Sequence, residues 1–151
     1  MSTVIYGLVI TLFIFGKSMA DDGLAEMMKM LHDTCVGETG VAEDVVIAAK
    51  AGNFAEDPKL KCFMLCLLNE VSAFDDGEID IETLIAIIPE SMAAQVEPII
   101  RNCGVIKGSD DCDTAFLTNK CWYNENPAVS MMIGGGSNFV IFIAAERKIG
   151  K

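Results

Sequence analysis

The chain has 151 residues, with 22 acidic and 11 basic side chains, and 52% of its residues are hydrophobic. That fraction exceeds the roughly 45–50% of ordinary soluble domains, so membrane insertion is the first class to test. The formal net charge of −11 argues against binding to nucleic acid or to anionic lipid surfaces, because their phosphate groups repel an acidic protein.

The N-terminus supplies the long apolar run of the chain, over residues 4–15. This run is too short for a membrane-spanning helix, which needs roughly 18–20 apolar residues, but it has the length of a signal-peptide core. Ser18 and Ala20 are small residues at the two specificity positions of a signal-peptidase site. We therefore predict a signal peptide over residues 1–20, cleavage after Ala20, a secreted extracellular protein and no membrane insertion.

Helical periodicity predicts the first three elements of the mature chain. Between residues 24 and 35 the apolar positions recur every three or four residues, and glycines at 37 and 40 are expected to end this helix. A shorter helix over 41–51 follows, and a third extends from Pro58 to about residue 74. Because the third helix is apolar on every side from 62 to 68, we expect it at the centre of a bundle.

Three further short helices are predicted over residues 81–88, 91–104 and 111–123. Pro98 lies inside the second of these, where it predicts either a kink or a late start. Asn126-Pro127 is expected to end the third. Since no segment shows convincing period-two alternation, the predicted fold class is all-α, a compact bundle of about six short helices in one domain.

The C-terminal residues differ in composition from the predicted domain, which covers residues 21–133. Residues 134–151 combine a glycine-rich link, an apolar patch and a basic end, and they are too short to span a membrane. Three alternatives stay open for this extension: a lid, a disordered segment, or an artefact of sequence assignment.

Six cysteines in the mature part of a secreted chain predict three disulfides. Six cysteines allow 15 pairings, and physical reasoning on the sequence does not choose among them. Cys62 and Cys66 are one helical turn apart on one face, so they should bond to two other helices rather than to each other. The spacing does not match common zinc sites, and no metal or cofactor is predicted. The cysteines are Cys35, Cys62, Cys66, Cys103, Cys112 and Cys121.

Two motifs suggest chemistry that the rest of the sequence does not support. His32 is the single histidine, and with Asp33 it forms the pair that a secreted lipid hydrolase would need, but no glycine-rich calcium loop precedes it. The acidic segment 75–80 looks like part of a calcium loop, yet three ligand positions are not filled. We therefore expect His32 to be a helix-face residue, the acidic segment to be an interhelical turn, and the protein not to be an enzyme.

The apolar stripes are rich in large, flexible side chains, including Met27, Met28, Met64, Phe116 and Trp122. Methionines can line a cavity that accepts ligands of varied shape, and disulfides can hold a bundle together without complete packing. The same stripes are also explained by a filled core, and this second explanation is favoured when the stripes are considered alone.

The intervals between the six cysteines are 26, 3, 36, 8 and 8 residues. In every interval this pattern resembles the six-cysteine insect odorant-binding and pheromone-binding proteins. KLKCFMLC at 59–66, DDGEID at 75–80 and KCWYNENP at 120–127 also look like that family, and the resemblance covers about residues 22–133. It implies three disulfides, Cys35–Cys66, Cys62–Cys112 and Cys103–Cys121, around an apolar cavity.

The resemblance also implies a function and a binding site. The protein would bind small hydrophobic odorants or pheromones reversibly and carry them through aqueous sensillar lymph to olfactory receptors. A receptor and a second copy of the chain are further candidate partners, and a carrier outside olfaction is the main alternative. Trp122 would offer an aromatic face and a free N–H, and Asn119 would orient a polar group of the ligand. The implied cavity wall is Ile81, Leu84, Val96, Ile99, Phe116, Asn119 and Trp122, with Met131 and Met132 in place of the family's aromatic C-terminal segment.

Overall fold

A computed structural model describes residues 19–130. The predicted signal peptide lies almost wholly outside these residues, as do Met131, Met132 and the extension 134–151, so the predictions made for them stay predictions. No helix within residues 19–130 is long and apolar enough to cross a membrane. In chain order the elements are α1 Met19–Thr39, α2 Glu43–Lys50, α3 Pro58–Glu70, β1 Phe74–Asp75, β2 Glu78–Ile79, α4 Ile81–Ala86, α5 Glu90–Cys103, α6 Asp111–Glu125 and α7 Pro127–Ser130.

Helix α1 is longer than its apolar stripe indicated, because it continues through Gly37. It ends before Gly40, whose φ of 63° lies in the left-handed region that glycine adopts without strain. The amide of Gly40 donates to the carbonyl of Val36 at 2.9 Å, which satisfies a carbonyl in the last turn. One glycine thus sits inside the helix and the next one ends it.

Helix α3 begins as predicted at Pro58 but ends at Glu70. Its N-cap is Asp57, whose carboxylate accepts from the amides of Lys59 and Leu60. Beyond the helix, Asp76 and Gly77 have φ values of 48° and 77° and join two short antiparallel strands. Two positive φ values in a two-residue loop are typical of a type I′ hairpin turn. The expected interhelical turn at 75–80 is therefore a β-hairpin, and extending the third helix to residue 74 was wrong.

Helix α5 begins at Glu90 and continues through Pro98, so the alternative of a late start is wrong. Helix α6 ends at Glu125, and the residue that follows it, Asn126, is extended as expected for a residue before proline. Pro127 then begins the four-residue helix α7, which the sequence did not predict. Proline is favoured at a first helical position because its fixed φ suits the helix and its missing N–H has no partner there.

The three disulfides pair as the family resemblance implied. Cys35–Cys66 joins α1 to α3, Cys62–Cys112 joins α3 to α6, and Cys103–Cys121 joins α5 to α6. Helix α3 carries six buried residues and is held by two of these bonds, one to each neighbour. The central position predicted for α3 is confirmed, and so is the fold class of a disulfide-linked helical bundle.

Candidate functional site

An apolar cavity lies between one end of the bundle and the α4 segment, and its free space is about 110 Å³. Helix α1 contributes one wall, the last turn of α3 a second, and the α4 segment a third, while α5, α6 and α7 contribute one side chain each. The residues lining it are Met27, Met28, Leu31, Leu67, Leu68, Val71, Leu84, Ile87, Ile88, Pro89, Ile100, Trp122 and Val129. Such a lining favours a hydrophobic molecule, because the free energy falls when the apolar surfaces of the ligand and of the cavity both leave water.

The cavity reaches the surface beside two exposed apolar side chains. Met27 is 45% exposed and Ile87 is 51% exposed, whereas Leu68 and Trp122 are almost completely buried. The cavity therefore extends from an apolar rim on α1 and the end of α4 to a buried floor on α3 and α6. A flexible methionine at the rim can change rotamer at little cost and so adjust the opening.

Two disulfides hold the walls in place. Cys66 immediately precedes Leu67 of the floor and is bonded to Cys35 of α1. Cys121 immediately precedes Trp122 and is bonded to Cys103, three residues after Ile100. Covalent links beside the lining residues constrain the spacing of the helices, so free space can persist without complete packing.

Trp122, one of the residues that line the cavity, carries a buried polar atom, the indole Nε1. The residue is 2% exposed, and its indole Nε1 is buried with no hydrogen-bond partner in the described part of the chain. More than about nine in ten buried polar groups in proteins are paired, so this donor is an exception.

The residues implied by the family resemblance separate into two groups. Leu84 and Trp122 line the cavity. Val96, Phe116 and Asn119 are buried in the core instead, and Ile81 and Ile99 pack against that core without lining the cavity. The remaining two, Met131 and Met132, lie outside the described residues.

Asn119 and Phe116 have evident structural roles. The Nδ2 atom of Asn119 donates to the carbonyl of Ala115 one turn earlier, at 2.9 Å, within α6. The ring of Phe116 is fully buried, packs edge-on against Phe54 at 5.8 Å, and lies 5.0 Å from the ammonium of Lys61. Neither residue lines the cavity.

Cavity residues that the sequence reasoning did not assign are Leu31, Leu67, Leu68, Val71, Ile87, Ile88, Pro89, Ile100 and Val129. Their signal was apolar character alone, in the stripes of α1 and α5, on every side of α3, in the run that ends α4 and in the residues after Pro127. Such a signal marks burial, but it does not distinguish a side chain against other side chains from one against empty space. Met27 and Met28, in contrast, do lie in a partly methionine-lined cavity, as one of the two open explanations held.

The two members of the predicted histidine-aspartate pair have different partners. The Nε2 atom of His32 lies 3.0 Å from both carboxylate oxygens of Glu43, and its ring packs edge-on against Phe63. Asp33 is exposed and forms an ion pair with Lys29 one turn earlier, which lowers the pKa of the carboxyl. His32 and Asp33 therefore each contact a different partner from one helix, and neither residue lines the cavity.

A second charged cluster stabilises α6 away from the cavity. Lys61 on α3 forms ion pairs with Asp113 at 2.7 Å and with Glu56 at 2.6 Å. The hydrogen bond from Lys61 lowers the pKa of Asp113, and the amide of Ser109 adds to the effect. The same two carboxylates raise the pKa of Lys61, so the ammonium stays charged.

Comparison with known proteins decides the family. Residues 17–125, well over half of the chain, match the PBP/GOBP family. The chain belongs to the PBP/GOBP family. General odorant-binding protein 69a of Drosophila melanogaster is 30% identical over 105 residues, which are 68% of this chain and 71% of that protein.

Solved structures of the family agree with the fold. The medfly odorant-binding protein CcapOBP22/CcapOBP69a is 33% identical, with a TM-score of 0.64, over 73% of this chain and 98% of that one. Odorant-binding protein 7 of Anopheles gambiae, with four disulfide bridges and in complex with an azo compound, is 31% identical, with a TM-score of 0.67, over 76% and 94%. The family resemblance is thus confirmed, and with it the predicted class of function, a carrier of small ligands.

Proposed function

We propose that the cavity between α1, α3 and α4 binds a small hydrophobic molecule reversibly, and that the secreted protein carries it through aqueous lymph to an olfactory receptor. The observation that carries this proposal is the continuous apolar lining, with an exposed rim at Met27 and Ile87 and a buried floor at Leu68 and Trp122. The Anopheles relative, whose structure holds an azo compound, supports a small organic ligand.

The free space sets the size of the ligand. An apolar cavity of about 150 Å³ in another protein stays dry and binds benzene, whereas typical ligand pockets measure about 300–1,000 Å³. The present cavity, at about 110 Å³, is therefore suited to a compact volatile molecule. Longer ligands would have to displace the flexible methionines of α1, which the exposed position of Met27 allows.

We also propose that the protein is not an enzyme. His32 and Asp33, the pair that the alternative hydrolase would use, have their partners in Glu43 and Lys29, and neither residue lines the cavity. A carrier outside olfaction would use the same cavity, and transcript abundance in antennae compared with other tissues separates the two settings.

The direct test is displacement of a fluorescent apolar probe by small volatiles. We expect Leu84→Phe to weaken the affinity for the volatiles by about tenfold or more. The added ring takes up space that the ligand needs, and overpacking costs about 1–3 kcal/mol. Ile47→Phe is the matched control, because Ile47 is 56% exposed on α2 and does not line the cavity. Its affinities should stay within about twofold of the original.

The proposal fails if no volatile displaces the probe from the oxidised protein at concentrations up to about millimolar, which corresponds to roughly 4 kcal/mol of binding. It also fails if Ile47→Phe weakens binding as much as Leu84→Phe does. Thermal melts of both variants, with all three disulfides formed, show whether a loss of binding reflects unfolding.

A further inference from the structure

Methionine side chains lie at the rim of the cavity and beside it on α1. Met27 and Met28 both line the cavity, and Met27 is 45% exposed to solvent. Met30, one turn further along the same helix, is 61% exposed but does not line the cavity. Met64 and Met92 are buried in the core. Met27 therefore combines exposure to solvent with a place in the cavity lining.

A thioether in contact with water is open to oxidation by peroxides. The sulfur attacks one oxygen of hydrogen peroxide, the O–O bond breaks, an S=O bond forms, and the second oxygen leaves as water with both hydrogens. The sulfur is oxidised by two electrons to the sulfoxide, and the peroxide is reduced by two. The cysteines do not compete for the oxidant, because all six are in disulfides. The exposed methionines of α1 are thus available sulfur groups for this reaction.

Oxidation of Met27 changes the rim of the cavity. A sulfoxide replaces a flexible apolar side chain by a polar one, whose oxygen accepts hydrogen bonds. In the unliganded protein this oxygen can stay hydrated, because Met27 is exposed. A ligand in the cavity covers part of the lining, and removing water from a polar group costs free energy that an apolar thioether does not require. The same oxidation at Met30 adds a polar group outside the lining.

We propose that Met27 is a site of oxidative modification by hydrogen peroxide, and that its conversion to the sulfoxide lowers the affinity of the cavity for hydrophobic ligands. The inference rests on the proposed function, since it concerns the same cavity. Ligand binding thereby becomes sensitive to the peroxide concentration around the protein. Met30 is oxidised as well, since it is more exposed, but without effect on the affinity.

Peptide mapping locates the modification. The full-length mature protein, with its three disulfides, is treated with hydrogen peroxide at concentrations that leave its circular dichroism unchanged, and is then digested with trypsin. Lys29 lies between the two exposed methionines, so cleavage there places Met27 and Met30 in different peptides, and fragment ions distinguish Met27 from Met28. We expect sulfoxide at Met27 and Met30 before it appears at the buried Met64. The reverse order would overturn the assignment of the site.

The affinity for the fluorescent probe N-phenylnaphthylamine is measured before and after oxidation in the original protein, in Met27→Leu and in Met30→Leu. Leucine has a similar volume and no sulfur, and each protein is compared with its own unoxidised form. Oxidation should weaken binding by about fivefold in the original protein and in Met30→Leu, because a ligand desolvates the new polar group. In Met27→Leu the change should stay below about twofold.

Met27→Gln tests the same effect without an oxidant, because glutamine places a permanent polar group at the rim. It should weaken probe binding by about fivefold, as the sulfoxide does. Met30→Gln is the matched control, since Met30 is exposed on the same helix outside the lining, and its affinity should stay within about twofold of the original. Equal affinities of the two glutamine variants would overturn the inference.

The outcomes separate this inference from the proposed function. If the unoxidised protein binds the probe, and oxidation weakens binding equally in the original protein and in Met27→Leu, another residue is responsible and this inference is wrong, while the cavity function stands. The inference is also wrong if protein with sulfoxide at Met27 keeps its full affinity. If the unoxidised protein binds neither the probe nor small volatiles, the proposed function fails and this inference with it.

Discussion

The two halves of helix α6 differ in how completely their side chains are packed and hydrogen-bonded. In the first half, Asp113 pairs with Lys61, Thr114 and Thr118 bind the amides of the preceding loop, and Phe116 is fully buried. In the second half, Trp122 faces free space and its N–H has no partner in the described residues. One continuous helix thus packs into the core at one end and lines an apolar cavity at the other.

This difference indicates how the fold tolerates a binding site. An unfilled cavity and an unpaired donor both reduce the free energy of unfolding, so they need compensation elsewhere. The first half of α6 provides it through hydrogen bonds, a filled core and the Cys62–Cys112 bond. The second half is held by Cys103–Cys121, which fixes its position without filling its surroundings.

Removing the two disulfides of α6 should give the largest effects and should separate stability from binding. The Cys62→Ser/Cys112→Ser pair opens a loop of 50 residues and should lower the free energy of unfolding by about 4 kcal/mol. The Cys103→Ser/Cys121→Ser pair opens a loop of 18 residues and should cost about 3 kcal/mol. Urea unfolding followed by circular dichroism measures both.

Ligand affinity should follow the opposite order, because Cys121 adjoins Trp122 and Cys103 lies one turn beyond Ile100 of the wall. We expect the second pair of substitutions to weaken probe binding more than the first, measured under conditions where both proteins are folded. Equal losses of affinity would show that the second half of α6 keeps its position without its disulfide.

Substitutions in the core and in the cavity should have the next largest effects, and they should differ in how much they lower the free energy of unfolding. Phe116→Ala removes a fully buried ring and should cost about 3 kcal/mol, with probe affinity unchanged in the folded protein. Leu84→Ala removes a side chain that already borders free space, so it should cost about 2 kcal/mol and shift binding towards bulkier ligands. A change in ligand preference on Phe116→Ala would instead place Phe116 in the binding site, as the family resemblance implied.

The Lys61–Asp113 pair should give the smallest effect, and one that depends on pH. The hydrogen bond from Lys61 lowers the pKa of Asp113 in the folded protein, so the pair stabilises the fold at pH values above the ordinary carboxyl pKa of about 4. This contribution is lost as the pH falls through the lowered pKa. The melting temperature of Asp113→Asn should therefore lie below that of the original protein at pH 6, and the two should converge towards pH 2.

Lys61→Met provides the control for this pH dependence. In that background Asp113 has lost its main partner, so adding Asp113→Asn should change the melting temperature much less. If the difference between the original protein and Asp113→Asn were the same at pH 6 and pH 2, ionisation of Asp113 would not be its cause.

Much of the fold could be predicted from the sequence because the determining signals are local. Apolar residues at helical spacing located the helices, and Pro58 and Asn126-Pro127 marked one start and one end. The hairpin was missed because its strands have two residues each, too few to show alternation, although Asp76-Gly77 is a strong hairpin signal. Gly37 was misjudged because the packing of a long helix can outweigh the weak helix propensity of one glycine.

The candidate site was less accessible from the sequence. Leu84 and Trp122 came from the family resemblance, whereas Leu67, Leu68 and Ile100 carry no signal that separates a cavity wall from a core. Phe116 and Trp122 look equivalent in the sequence, since both are aromatic residues of one helix. In the structure Phe116 meets Phe54 and Lys61, while Trp122 meets free space.

By itself, the sequence determined the helical class, the family and, through the family, the pairing of its cysteines, because helical periodicity and cysteine intervals are properties of the chain read along its length. Only the tertiary structure decided where the free space lies and which donor is left unpaired. Both depend on how side chains from α1, α3, α4 and α6 meet, and contacts between residues far apart in the chain leave no local pattern.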